Sequence, residues 1–280
     1  MNPVVEALAL LTPFDVDKKK VRIGPKADGG YILLDDLSPE QTVVSYGIST
    51  EYKFEEEMAM RGHNVYMFDH TIPPIDAISE KMKFYPEGVA GVSDPANNLY
   101  SLEDHLAKFN IHGNKLILKM DVEGAELDAI GMASPAVLQR FDQIALEIHG
   151  LSNLNDVAFR EKMCVMLRRI NNLFTLFHVH ANNYDGSDLL YIVSGIPVSN
   201  ILELSYTKTI NIHSSTSQTL YPTALDFPNV RGRDKLLWFY PFLPTNLSFN
   251  DFAICEERID LIYKLSQDGL TQESTSGGGC

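Results

Sequence analysis

Two hydrophobic periods alternate along the chain from residue 42 onward. "TVVSYGIS" (Thr42 to Ser49) is apolar and β-branched up to its glycine, as a buried strand requires. "EYKFEEEMAMRG" (Glu51 to Gly62) changes to helical spacing at Phe54, Met58 and Ala59 and stops at a glycine. The same strand-then-helix pattern recurs. "NVYMFDH" (Asn64 to His70) reads as a second strand and "GVAGVSD" (Gly88 to Asp94) as a short third. "SLEDHLAKFN" reads as a helix whose Ser101 and Asp104 suit its first turn, and Leu116 to Asp121 as a fourth strand. "DQIALEIHG" (Asp142 to Gly150), a periodic helix over Asp156 to Asn172 and "LFTLFHVHANN" (Leu173 to Asn183) follow, and "NILELSYTK" (Asn200 to Lys208) can return antiparallel beside the last of these.

This order predicts an α/β fold with a doubly wound, mostly parallel sheet of about seven strands and one antiparallel edge strand. Residues 1–41 are expected to form a helical and extended segment packed on the core, 42–264 the main domain, and 265–280, which lack apolar periodicity, a disordered tail. No internal repeat or long interior linker divides the chain. "LLWFYPFLP" (Leu237 to Pro244) reads as core packing or as a patch compatible with a homodimer.

Charge narrows the choice of partner. With 37 acidic against 23 basic residues and a formal charge of −14, the chain repels a phosphate backbone, and its densest basic run, "DKKK" at Lys18, reads as a solvated turn. Nucleic acid is therefore disfavoured. Cys164, Cys255 and Cys280 are too scattered for a disulfide framework or a zinc site, which suggests a reducing compartment. No run approaches the roughly 20 apolar residues of a membrane span. The expected location is the cytoplasm.

In an open α/β sheet, ligands bind at the C-terminal ends of the strands. The first turn carries Ser45, Tyr46, Gly47 and Ser49 in place of the glycine-rich cradle that a dinucleotide pyrophosphate needs. Glu51 and Glu55 follow it, and they would repel phosphate but tolerate a cationic ligand. Asp69, with His70 after it, ends the second strand where a carboxylate can accept both ribose hydroxyls, and Ser93 and Asp94 end the expected third, within reach of an adenine. An adenosyl group without phosphates and with a positive sulfonium satisfies these features together. S-adenosylmethionine is the simplest such ligand.

The runs "VVSYGIS" followed by "FE", "VYMFDHT", "GVSD" and above all "LKMDVEGAE" resemble the FkbM-type branch of class I S-adenosylmethionine-dependent methyltransferases. The likeness covers roughly residues 20 to 245, since "RIGPKADGGYILLDDL", "HVHANN", "LELSY" and "YPTALDFPN" also look like that branch. The departure is the first turn, where the family's glycine-rich motif is reduced to Gly47. The resemblance implies O-methylation of a hydroxyl on a sugar, nucleotide sugar, glycan or related small molecule.

Methyl transfer to an alcohol needs a proton acceptor. Lys119, Asp121, Glu147 and His149 gather at two adjacent strand ends, with Asp121 placed to meet the cofactor as well, and His149 is the expected base because an ordinary imidazole titrates near neutrality. Asp121, Glu147 and His149 are also the residues expected to hold a divalent cation such as Mg2+ if one is used. Glu126 reads as structural at a helix start, while Glu123 suits either role. Tyr31, His180, Asn182, Asn183 and Glu203 are expected to bind the acceptor, as an aromatic platform and as mixed donors and acceptors. Two rival readings are a nicotinamide-dependent oxidoreductase and a non-catalytic binding module of the same fold. Missing pyrophosphate glycines argue against the first, and acids gathered at strand ends against the second.

Overall fold

The computed structural model describes residues 2–75, 79–184 and 190–244. The expected tail, the end of the main domain beyond residue 244, Cys255 and Cys280 lie outside the described residues.

Seven strands form one sheet: β1 (Thr42–Tyr46), β2 (Asn64–Phe68), β3 (Met82–Tyr85), β4 (Leu116–Met120), β5 (Phe141–Ile148), β6 (Phe174–Ala181) and β7 (Leu202–Lys208). Their order is β6-β7-β5-β4-β1-β2-β3. β1 pairs in parallel with β2 and β4, and β4 with β5, whereas β7 is antiparallel to both β5 and β6. The reversed strand is thus inserted one place in from the edge. Strand order doubles back between β1 and β4, the switch point at which such sheets open a crevice. This is a doubly wound, class I methyltransferase-like α/β fold.

The third strand differs from expectation. "GVAGVSD" gives only the pair Gly88–Val89, which joins Leu99–Tyr100 in a separate two-stranded ladder, while β3 is formed by "MKFY". At the sheet's edge β3 needs to bury only one side, so Lys83 is exposed within it and the continuous apolar run is lost.

Helices α1 (Pro3–Ala9), α2 (Lys53–Met60), α3 (Leu102–Lys108), α4 (Glu126–Met132), α5 (Pro135–Leu138) and α6 (Val157–Asn171) complete the layers. Side chains that end helical sequences in other contexts start these: Asn2, Ser101, Ser134 and Asp156 each accept a backbone N–H in the first turn. Strand alternation sends Val44, Tyr46, Leu118, Met120, Leu146 and Ile148 into one apolar core with α3, α4 and α6.

The other face is unlike it. Ser45, Lys119, Gln143, Glu147, His178, His180 and Glu203 are all buried there. That face is covered by the antiparallel hairpin Lys20–Ile23 with Tyr31–Leu34 and by the segment from Tyr221 to Lys235. Gln143 docks the hairpin: its Oε1 accepts the N–H of Leu34 at 2.7 Å and its Nε2 donates to the Leu34 carbonyl at 3.2 Å. The expected N-terminal segment therefore packs on the sheet at two places, since α1 also joins the core beneath α6. Replacing Gln143 by Leu leaves both Leu34 backbone groups buried without partners. Urea denaturation should show a loss of about 1–3 kcal/mol for each orphaned group.

Candidate active site

A cavity of about 310 Å³ opens at the C-terminal ends of β1, β2 and β4, lined by Gly47, Ser49, Asp69, His70, Thr71, Gly88, Asp121 and Glu123 among others. It is of small-molecule size. Its floor depends on Gly47. Gly47 has a φ of +74°, and a Cβ there would fall 1.5 Å from the Asp121 carbonyl oxygen, so only glycine lets β1 and β4 end so close together. Across the cavity, a Cβ on Gly88 would enter the His70 ring.

Asp69 organises the turn. Its Oδ2 accepts the N–H groups of Ile48 and Ser49 at 2.9 and 3.1 Å, and its Oδ1 accepts the Thr71 N–H and hydroxyl at 2.8 and 2.6 Å. Four accepted bonds occupy the carboxylate's capacity, so any ribose hydroxyl has to share oxygens already engaged. Ser49 adopts a left-handed φ of 53° to present its N–H, and Glu123, at the opposite wall, has the same φ. Such backbone costs about 1–3 kcal/mol and is retained where the surroundings impose it.

Asp121 belongs to the cavity and to a second group of side chains behind it. Its Oδ2 accepts the Tyr31 hydroxyl at 3.1 Å and lies 4.0 Å from the Lys119 ammonium, and its Oδ1 is 3.8 Å from His149 Nε2. His149 Nε2 also faces Glu147 at 3.3 Å and Glu123 at 3.4 Å, and Glu126 stands 3.5 Å from Nδ1. Glu126 is wholly buried and its carboxylate accepts the N–H groups of Gly124 and His149, a structural role as expected.

This crowding corrects the expectation for His149. Burial opposes a charge on the ring, but the carboxylates of Glu126 and Glu147 beside it outweigh burial and push its pKa up to about 11. Glu147 is likewise raised, by burial and then by the charge of Asp121. Among these carboxylates the ring favours its protonated form, which carries no free lone pair.

Other expected residues separate into two sets. Gly47, Ser49, Asp69, His70 and Asp121 meet at the cavity. Ser45 and Tyr46 do not, because strand alternation turns them into the two opposite cores, where Ser45 donates to Glu55 and Tyr46 pairs with His105. Glu51 pairs with Lys53 at the surface. Ser93 bonds Asp104 and Asp94 closes a turn on Leu99, since neither ends a strand of the sheet. Lys119 donates to the Gly47 carbonyl, so it holds the turn and does not reach toward an acceptor.

On the acceptor side, Tyr31 stands against Asp121 and Glu147, and Asn182 donates to Glu147 at 3.0 Å. His180 is fixed between Glu203 at 2.9 Å and Asp234 at 2.8 Å, and Asn183 between the backbones of Val230 and Arg233. These two are structural. Thr71, Gly88, Asp28 and Asn229 were not foreseen; of these only Asp28, beside "GGY", had a local signal.

Candidate ligand groups whose atoms lie within 4.8 Å of one another are Asp121 with Glu123 and His149, and Asp28 with Glu147 and Glu203. The expected trio of Asp121, Glu147 and His149 is divided between them. A cation at the first group would compete with the proton on His149. No family model matches the chain, and no curated protein matches its sequence. Among the described residues, no helix is long and apolar enough to cross a membrane.

Asp69 gives a pH signature. Burial alone would raise its pKa, but the bonds from Thr71, Ser49 and Ile48 overcome this and hold it below the ordinary carboxylate range. A depressed folded-state pKa stabilises the protein above about pH 4, the unfolded value, and that contribution is lost as pH falls through the folded one. Thermal unfolding should therefore show Asp69→Asn less stable by about 1–3 kcal/mol at neutral pH, with the gap to wild type narrowing below about pH 4.

Proposed function

We propose that the chain is an S-adenosylmethionine-dependent O-methyltransferase acting on a hydroxyl of a neutral sugar, glycan or related polyol. The observation that carries this reading is a cavity walled by Asp69, Asp121 and Glu123, with no lysine or arginine among the described residues of its lining, that meets a polar acceptor side through Asp121. A pyrophosphate there would meet three carboxylates in the lining, which disfavours a nicotinamide dinucleotide. A sulfonium is attracted by the same groups. The acid field extends to Asp28, Glu147 and Glu203, which also disfavours an anionic acceptor such as a nucleotide sugar.

Bound in this cavity, adenosylmethionine supplies a methyl group on cationic sulfur. Gly47 and Gly88 give the close backbone approach, and His70 and Thr71 form the wall beyond Asp69. Asp121 accepts the proton from the acceptor hydroxyl: its side chain is 28% exposed, whereas that of Glu147 is 5% exposed. His149, as a cation, offsets the carboxylates around it and orients Asp121, and Tyr31 fixes the other Asp121 oxygen.

Calorimetry should show binding of adenosylmethionine and of its demethylated product but not of NADH. A folded protein that ignores the first two at millimolar concentration would refute the reading. Mass spectrometry of extract incubated with isotopically labelled cofactor identifies the acceptor. Once an acceptor is in hand, Asp121→Asn should lower turnover by about 10²- to 10⁴-fold, the usual cost of losing a general base, and weaken the cationic cofactor by a smaller factor, since one of the cavity's carboxylates is lost. His149→Gln should lose less. If Asp121→Asn turns over like wild type and His149→Gln is dead, the base is the histidine after all.

A further inference from the structure

The sheet face under α3 holds a titratable group that the proposed chemistry leaves unused. His105 of α3 is wholly buried among aromatic rings. Phe68 of β2 stacks on it with centroids 4.3 Å apart, and Tyr46 of β1, Tyr100 and Phe109 stand at 5.5, 5.2 and 6.1 Å. Its Nδ1 lies 3.1 Å from the Tyr46 hydroxyl, and its Nε2 lies 3.3 Å from Glu87 Oε2. This second pair is not aligned as a hydrogen bond, and neither atom has another hydrogen-bond partner among the described residues.

Hydrogen-bond counting at Tyr46 requires a neutral ring. The hydroxyl is buried, and its only hydrogen bond among the described residues is the one to Nδ1. A neutral imidazole with its proton on Nε2 accepts the hydroxyl proton at Nδ1. A doubly protonated ring has a donor at each nitrogen, so the hydroxyl proton is left buried without an acceptor. Nearby charges do not offset this. Asp104 and Lys108 come from α3, Glu87 from the turn after β3, and the phenols of Tyr46 and Tyr100 from β1 and the adjoining ladder, with Tyr85 of β3 behind Phe68 and Phe109. Lys108 holds the other oxygen of Glu87 at 2.8 Å, so that carboxylate is shared. The stacked rings attract a cation less strongly than loss of water opposes one. Burial therefore prevails and lowers the His105 pKa to about 4.

Three walls of the cavity start from residues that touch this ring. Gly47 follows Tyr46, Asp69 follows Phe68, which itself lines the cavity, and Gly88 and Val89 follow Glu87. We propose that His105 is an acid-sensitive keystone of the cavity: uptake of one proton by its ring releases Tyr46, Phe68 and Glu87 and opens these walls while the rest of the sheet stays folded. The sign follows from linkage. A hydrated ring in the open form binds its proton at about pH 6.5, whereas the enclosed ring does so at about pH 4. The closed form is thus fully favoured above about pH 6.5, and each pH unit below it favours the open form by about tenfold, until the enclosed ring also takes up its proton. Asp69 acts only below about pH 4, outside this window. The device stands whatever ligand the cavity takes.

The test uses the full chain without ligand. Hydrogen exchange between pH 7.5 and 5, corrected for the intrinsic rate at each pH, should show residues 45–49, 66–71 and 86–90 losing protection by about tenfold per unit below about pH 6.5. β5 and β7 should keep theirs. His105→Asn retains an acceptor for the Tyr46 hydroxyl and cannot take up the proton, so it should remove the pH dependence at these three segments. Tyr46→Phe lifts the penalty on a charged ring and should shrink the total loss. Should the His105 variant fail to fold, wild-type exchange and the nuclear magnetic resonance titration of the His105 ring decide the matter. Protection at the three segments that is unchanged from pH 7.5 to 5, or a loss that His105→Asn retains in full, overturns the proposal. So does a His105 ring that titrates near its ordinary value while the three segments stay protected.

Discussion

A carboxylate withdrawn from water must be met by a positive charge or by several donors, and this requirement governs much of one face of the sheet. Asp69 is satisfied by four donors from the turn it folds. Glu203 and Asp234 share the imidazole of His180, whose pKa is well above its ordinary value because, although burial opposes the charge, Asp234 and Glu203 flank the ring and outweigh burial. His149 does the same for Glu126 and Glu147. The strands, the hairpin and the segment around Asn229 are positioned by these pairings as much as by apolar packing.

The two faces of the sheet consequently divide the work. The face under α3, α4 and α6 is apolar at Val44 and Tyr46 of β1, at Leu116, Leu118 and Met120 of β4 and at Ile144, Leu146 and Ile148 of β5, and it supplies most of the core. On the opposite face an apolar cluster under α2, with Val43, Val65, Met67 and Ile117, gives way toward β5, β6 and β7 to oriented dipoles and charges. Such networks specify geometry closely when every member is satisfied, because a partly satisfied arrangement is costly at low dielectric. The unpartnered atoms on Asn229 and Asp234 lie where that satisfaction is incomplete.

Much of the architecture was legible because parallel strands buried on both faces read as continuous apolar runs, as in Leu116–Met120, and because helix caps such as Asp156 carry a local signal. The edge strand β3 was not, since an edge need bury only one side. Within the site, Gly47, Asp69 and Asp121 were legible from their places at strand ends. Ser45 and Tyr46 were misread because adjacent strand residues point to opposite faces. The upward shift of His149 was hidden because Glu126, which shares in it with Glu147, looks in sequence like an ordinary helix-start acid. His180 and Asn183 failed for a related reason: their partners, Asp234, Val230 and Arg233, are remote in the chain, and no local pattern announces them.

That remoteness has a consequence for how the molecule comes into being. The hydrogen bond from Asn229 to Asp28 closes a loop of 201 residues, and Ser217 and Thr219 reach back to Asp15 over similar spans. Contacts of such high sequence separation are entropically late, because most of the chain has to be ordered before their ends can meet. During synthesis on the ribosome, the strands of the sheet emerge well before residue 229 does. The polar face therefore stays open to solvent until the segment around Asn229 returns to the hairpin, and a nascent chain can have its scaffold assembled while its chemistry is still missing.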